Sequence, residues 1–184
     1  EGVFTQPIRQ LLQVVADQTA LSWQNALMVK RLEEMATRDG LTGLYNKRVF
    51  LEALGRHVRT AQRFGSRVSL IMTDLDKFKS VNDTYGHQVG DRVLKRFAAV
   101  VERNVREVDM ACRYGGEEFA IICQETDTEG AYLLAERIRT DMQREVEDTD
   151  RGGLTVTCSL GVATSPEHAS EPDALVDAAD QALY

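Results

Sequence analysis

Arg113-Tyr114-Gly115-Gly116-Glu117-Glu118-Phe119 joins two β-prone runs, Met110 to Tyr114 and Phe119 to Cys123. A Gly-Gly pair there predicts a tight hairpin turn, since glycine takes φ > 0 without steric penalty. Two adjacent carboxylates directly after a turn are poor strand material. Their repulsion is tolerable only with cations or water at hand. The tip therefore reads as a cation site whose glycines let a large ligand approach the backbone. It also reads as an exposed hairpin with acidic gatekeepers, and the rest of the chain must decide.

N-terminal to the hairpin, Arg67 to Thr73 is a continuous apolar run with β-branched residues and predicts a buried strand. It terminates in Asp74-Leu75-Asp76. A loop and short helical turn, Lys77 to Gln88, contains Gly86. An amphipathic helix follows from about Val89 to Asn104. Beyond the hairpin, Asp127-Thr128-Glu129 opens a helix to about Val146. Arg151-Gly152-Gly153 turns the chain into a strand from Leu154 to Ala163, and a last helix starts at Glu171 or Pro172. Upstream, Asn46 suits the N-cap of a helix from Lys47 to about Arg63, ended by Gly65-Ser66.

With the first two helices set aside, the order is β-α-β-β-α-β. That is the ferredoxin-like arrangement in the α/β (α+β) class. In its sheet the first strand lies antiparallel beside the third. Asp74, just past the end of one, then meets Glu117, just before the start of the other. Carboxylates distant in sequence converge on one edge, which favours the cation reading.

Carboxylates with a nearby backbone carbonyl suit Mg²⁺, a hard ion that keeps some waters. Two ions about 3.5–4 Å apart can stabilise both attacking and leaving oxygens in nucleotidyl transfer. Lys79 can reach phosphate oxygens as a point charge, or it is a solvated surface lysine. Asn82 offers a donor and an acceptor, and Asp91 offers acceptors only. Together they can read guanine, whose N1–H and N2–H donors adenine lacks. Asp91 also reads as an acid complementing a helix dipole. His87 has no metal-spaced partner and reads as a packing or hydrogen-bonding residue, and His57 and His168 carry no functional signal.

The chain has 184 residues, enough for one domain with an appendage at roughly 100–200 residues per domain. A hydrophobic share of 43% supplies a core, and the net charge of −7 argues against a nucleic-acid-binding stripe. An acidic protein that handles polyanions needs metal ions as intermediaries. Cys112, Cys123 and Cys158 are odd in number and lie in strand-like surroundings. They read as reduced, buried thiols of a cytoplasmic chain. No apolar run reaches the ~18 residues of a membrane span, and no signal peptide is visible. The first residue is Glu, so a fragment of something longer is expected.

From about Thr5 to Arg38, Leu11, Gln18, Asn25 and Leu32 recur at heptad spacing. So do Val14, Leu21, Met28 and Met35. That is an a/d seam whose polar a positions fix register and favour a parallel dimer. A second stripe, Ile8, Leu12, Val15, Thr19, Trp23 and Ala26, suggests packing against a further domain. A plain amphipathic helix docking on its own domain is the other reading. The expected organisation is a signalling helix over residues 1–38 and a catalytic domain over residues 39–184.

Several motifs now stand in one order. They are Asp39-Gly40-Leu41-Thr42-Gly43-Leu44-Tyr45-Asn46, Asp74-Leu75-Asp76-Lys77-Phe78-Lys79, the Asn82 to Asp91 stretch and the glycine hairpin. From Asp39 to Tyr184 the chain resembles the GGDEF family of diguanylate cyclases, in a Gly-Gly-Glu-Glu-Phe variant. The resemblance implies that Asp74, Glu117 and the Leu75 carbonyl hold one or two Mg²⁺ or Mn²⁺. It implies that Glu118 completes the acidic tip and that Glu117 helps activate the 3′-hydroxyl. Gly115 and Gly116 would let GTP lie across the hairpin, with Phe78 also at the substrate. Lys79 would bind the terminal phosphates, and Asn82 and Asp91 would read guanine. Two subunits, each holding one GTP, would face each other and release two pyrophosphates and cyclic di-GMP.

Arg106-Glu107-Val108-Asp109 has the spacing of the family's inhibitory Arg-x-x-Asp site, where product binds. Arg137 falls where the family often has a supporting arginine. The N-terminal helix resembles the last helix of a GAF sensor domain running into a signalling coiled coil. The family usually continues past Tyr184 with a basic stretch. Two other function classes stay open on sequence: a non-catalytic cyclic di-GMP or GTP receptor, and a structural dimerisation module.

Overall fold

The computed structural model describes residues 6–183, with the side chains of 7–9 and 29–35 left out. The chain divides into two compact units, one ending at Thr37 and the other starting at Arg38. The first is a single helix, α1 (Gln6–Thr37). Its start at Thr5 and the side chains of Ile8, Leu32 and Met35 lie outside the described residues. Of the remaining heptad positions, Leu11, Val14, Leu21 and Met28 are exposed, as are Leu12, Val15 and Trp23 of the second stripe.

The second unit runs β1 (Tyr45–Asn46), α2 (Lys47–Phe64), β2 (Val68–Leu75), α3 (Phe78–Tyr85), α4 (His87–Asn104), β3 (Met110–Arg113) and β4 (Glu118–Gln124). It continues through α5 (Thr128–Arg144), β5 (Glu147–Thr149), β6 (Gly152–Leu154), β7 (Cys158–Ser165) and α6 (Pro172–Leu183). The main sheet has the order β1-β3-β4-β2-β7. Without β1 this is the ferredoxin-like order predicted from the sequence, and β4 and β7 flank β2 antiparallel.

Burial follows from that position. β2 is paired on both sides, and every residue from Val68 to Leu75 except Asp74 is buried. This is why its sequence is a continuous apolar run and not an alternating one. Ile71, Leu75, Phe119 and Ile121 pack with α4 and α5 on one face. Leu70, Met72, Ala120 and Ile122 pack with α2 and α6 on the other. Asn46 caps α2 as expected, its side chain accepting from the Val49 N–H. Asp127 caps α5 by accepting from Gly130. The three cysteines are buried and unbridged.

The structure differs from the sequence expectation in four places. β2 continues through Asp74 and Leu75, because its partners β4 and β7 extend that far. The stretch after Lys77 is a full helix, α3, and α4 begins at His87. The chain turns between them at Gly86, whose φ of 82° only glycine adopts freely. A separate two-stranded hairpin, β5–β6, precedes β7, which begins at Cys158 and not at Leu154. Finally, neither Gly115 nor Gly116 takes a positive φ. Residues 114–117 form a four-residue loop closed by Tyr114 and Gly115 N–H groups on the Glu118 carbonyl, and it needs no left-handed residue.

Candidate active site

Asp74 of β2 pairs in register with Glu118 of β4. The next pair is hydrogen-bonded, Leu75 N–H donating to the Glu117 carbonyl at 3.3 Å. Asp74 and Glu118 therefore form a non-hydrogen-bonded pair, the kind whose Cα atoms lie about 4.5 Å apart with side chains close. Burial, then the charges of Glu117, Glu118 and Asp76, push the Asp74 carboxyl up to about 6. The acids do converge on one edge as strand order predicted, but the residue opposite Asp74 is Glu118, and Glu117 lies opposite Leu75.

The Glu118 carboxylate lies over Gly115. A Cβ on Gly115 would come within 2.2 Å of Glu118 Oε2, whereas one on Gly116 would meet nothing within 4 Å. Gly115 leaves room for the Glu118 carboxylate where it now lies, and its backbone conformation does not itself call for glycine. The loop is held from below by Arg113, which donates to the Gly116 carbonyl through Nε at 3.1 Å and Nη2 at 2.7 Å. Arg113 also reaches both Asp39 carboxylate oxygens at 3.4 Å. Asp39 in turn accepts from the Thr42 backbone and hydroxyl.

Among the described residues, no group of three or more His, Cys, Asp or Glu is placed so that it could hold a metal ion. The Asp74, Glu117 and Glu118 carboxylates lie close enough for their charges to act on one another, and carboxylate oxygens are the hard donors Mg²⁺ prefers. The raised Asp74 carboxyl marks acids crowded together that a divalent cation would relieve. The donor set fits such an ion.

A cleft of about 630 Å³ opens beside Asp74, lined by Asp76, Lys77, Ser80, Thr84 and Thr157 among others. Asp76 is braced there by the hydroxyls of Thr157 and Ser159. Lys79 is exposed on α3 and does not line this cleft, whereas Lys77 does. Sequence reading passed over Lys77, Asp76 and Arg113. Alternation from Asp74 to Asp76 would have put both acids on one strand face.

Asn82 and Asp91 are brought together by the turn at Gly86. Asn82 is half-buried on α3, and its carboxamide lies against Gly90, the neighbour of exposed Asp91 on α4. Phe78 is buried beside them.

Arg106, Asp109 and Arg137 line one cavity of about 210 Å³. It lies at the far end of β4 from Glu118, about 20 Å away for a strand of that length. Asp109 accepts from the backbone N–H groups of Arg106 and Gln124. Arg137 donates to the Asn104 side chain and carbonyl, both at 2.6 Å.

The family model of the diguanylate cyclase GGDEF domain matches residues 36–184, and the chain belongs to that family. It is 41% identical to the response regulator PleD of Caulobacter vibrioides over 153 residues, 82% of this chain and 34% of that protein. It is 35% identical to diguanylate cyclase A of Treponema denticola over 184 residues, 98% of this chain and 48% of that one. The chain thus spans about a third to a half of the length of these curated relatives. Among solved structures, it resembles the coiled coil and GGDEF domain of DgcB from Caulobacter crescentus in complex with c-di-GMP. The TM-score is 0.83 at 31% identity, covering 95% of this chain and 92% of that one. No described helix is long and apolar enough to cross a membrane.

Proposed function

We propose that this protein is a diguanylate cyclase that condenses two GTP into cyclic di-GMP and two pyrophosphates. The observation that carries the reading is the Asp74–Glu118 pairing with Glu117 alongside. Asp74, Glu117 and the Leu75 carbonyl hold Mg²⁺ or Mn²⁺. Bound there, the ion supplies Lewis-acid stabilisation of the attacked α-phosphate and the departing oxygen. Glu117 also takes the proton from the 3′-hydroxyl, and Glu118 completes the acidic tip. Gly115 leaves the hairpin backbone open to the nucleotide. Asn82 and Asp91 read guanine, Phe78 packs beside them, and Lys79 with Lys77 attracts the terminal phosphates.

Two copies must face each other, because each site supplies one half of a symmetric product. Residues 1–38 serve as the dimerising signalling helix of a GAF-type sensor, with residues 39–184 as the catalytic domain. The exposed heptad positions Leu11, Val14, Leu21 and Met28 support this pairing. Arg106, Asp109 and Arg137 bind the product and inhibit. The reaction takes place in the cytoplasm, where GTP is available. Incubation with GTP and Mg²⁺ followed by nucleotide chromatography tests the whole reading. Cyclic di-GMP and pyrophosphate are expected, and a Glu117→Gln protein as active as the parent would remove the metal assignment.

A further inference from the structure

We infer that Gly90 is a positioning residue for guanine recognition: its bare Cα is the seat that holds the Asn82 carboxamide beside Asp91. The inference rests on the reading of Asn82 and Asp91 as the guanine pair. A Cβ built on Gly90 would lie 2.0 Å from Asn82 Oδ1, 3.1 Å from Asn82 Cγ and 3.2 Å from the tip of the Phe78 ring. The first distance is half an ordinary contact, so the two groups cannot both be there.

Which group gives way follows from the surroundings. Phe78 is only 6% exposed and belongs to the core beneath α3 and α4. Oδ1 is the end of a side chain with two rotatable bonds, in a half-buried position. A methyl group on Gly90 therefore turns the Asn82 amide away and leaves the backbone in place.

Backbone conformation gives Gly90 no reason to be glycine. It lies inside α4, and its φ is not positive, unlike that of Gly86 one turn earlier. A helix-interior glycine costs about 1 kcal/mol relative to alanine. Alanine should thus favour the helix while spoiling the site. The two effects have opposite signs, and this separates a positioning role from a merely structural one.

The test is a double-mutant cycle on the intact chain: the parent, Gly90→Ala, Asn82→Ala and the pair together. Binding of a non-hydrolysable GTP analogue and of the matching ATP analogue is measured by calorimetry, with a thermal melt for each protein. Gly90→Ala is expected to melt at or above the parent and to lose about tenfold in GTP-analogue affinity, the worth of one hydrogen bond or slightly more. ATP-analogue binding should not change. The double variant should bind no more weakly than Asn82→Ala. Parent-like GTP-analogue binding by Gly90→Ala would overturn the inference, as would a further tenfold loss in the double variant. Should Gly90→Ala melt well below the parent, the Asn82 side-chain amide resonances decide. An unmoved amide pair overturns the inference, and a displaced one supports it. Parent-like binding by Asn82→Ala removes the guanine reading itself, and this inference with it.

Discussion

Asp74 and Glu118 stand opposite each other across the β2–β4 ladder, with Glu117 one step further along. Burial and three neighbouring acids raise the Asp74 carboxyl to about 6 from an ordinary 3.8. Between those values the folded chain keeps a proton that the unfolded chain has released. Stability therefore falls as pH rises through that window, and at neutral pH the ionised cluster works against the fold.

Replacing Asp74 with Asn should stabilise the metal-free protein and destroy its function. Relief of roughly 1 kcal/mol, from the burial of a charge first and from solvent-screened repulsion second, raises Tm by about 2–4 °C in a chain of this size. The gain should be present at pH 7.5 in chelator and fade toward pH 4. Added Mg²⁺ should raise the melting temperature of the parent and not of the variant, and turnover should fall at least about 100-fold. A variant that melts below the parent in chelator would contradict the crowding argument.

Arg113 joins Asp39, near the start of the second unit, to the carbonyl of Gly116 at the tip of the hairpin. Burial pulls the Asp39 carboxyl upward, but hydrogen bonds from Thr42 and the Arg113 charge bring it below its ordinary value. Arg113→Ala leaves Asp39 without its cation and the loop without its brace. The expected cost is about 1–3 kcal/mol, read by urea denaturation. Turnover should fall while the affinity for cyclic di-GMP at the far end of β4 stays unchanged. Equal losses at both sites would mean a general unfolding instead.

What could be read in the sequence followed from hydrophobic order. Val68 to Met72 and Phe119 to Cys123 are apolar runs that can only be central strands, so their neighbours Asp74 and Glu117 had to meet. The Asp39–Arg113 pair was hidden because its members are distant in the chain and neither lies in a periodic pattern. The β5–β6 hairpin was hidden for another reason. Glu147, Gly152 and Gly153 have poor strand propensity, and the hairpin is held by an ion pair to α4. α3 was obscured by Gly86, which reads as a breaker but serves as the turn between two helices. Lys77, which takes a left-handed φ of 56° at the start of α3, lines the cleft, and Lys79 does not.

Arg137 is oriented by two bonds to Asn104, whose amide also donates to Asp141. Arg137→Ala should weaken cyclic di-GMP inhibition about 10- to 100-fold, the worth of a charged hydrogen bond. Initial rates at low product should not change. The measurement is the product concentration that halves turnover, and an unchanged value would remove Arg137 from the proposed inhibitory site.

Glu147 fastens the β5–β6 hairpin to α4 by accepting from Arg92 at 2.5 Å and Arg96 at 2.8 Å. It is buried, and those hydrogen bonds, the one from Arg92 foremost, hold its carboxyl below the ordinary 4.5. The unfolded chain takes up this proton first as pH falls. The stability contributed by Glu147 is therefore complete above about 4.5 and is lost as pH drops through the lower folded value. Both arginines remain partly in water, which limits the effect. Glu147→Gln should cost about 1–2 kcal/mol at pH 7. Urea denaturation at pH 7 and again near pH 3 should show that difference shrinking, because below 4.5 the unfolded parent takes up the proton and the advantage of the folded carboxylate declines. A difference that persists undiminished at low pH would mean that Glu147 acts through packing and not through its charge.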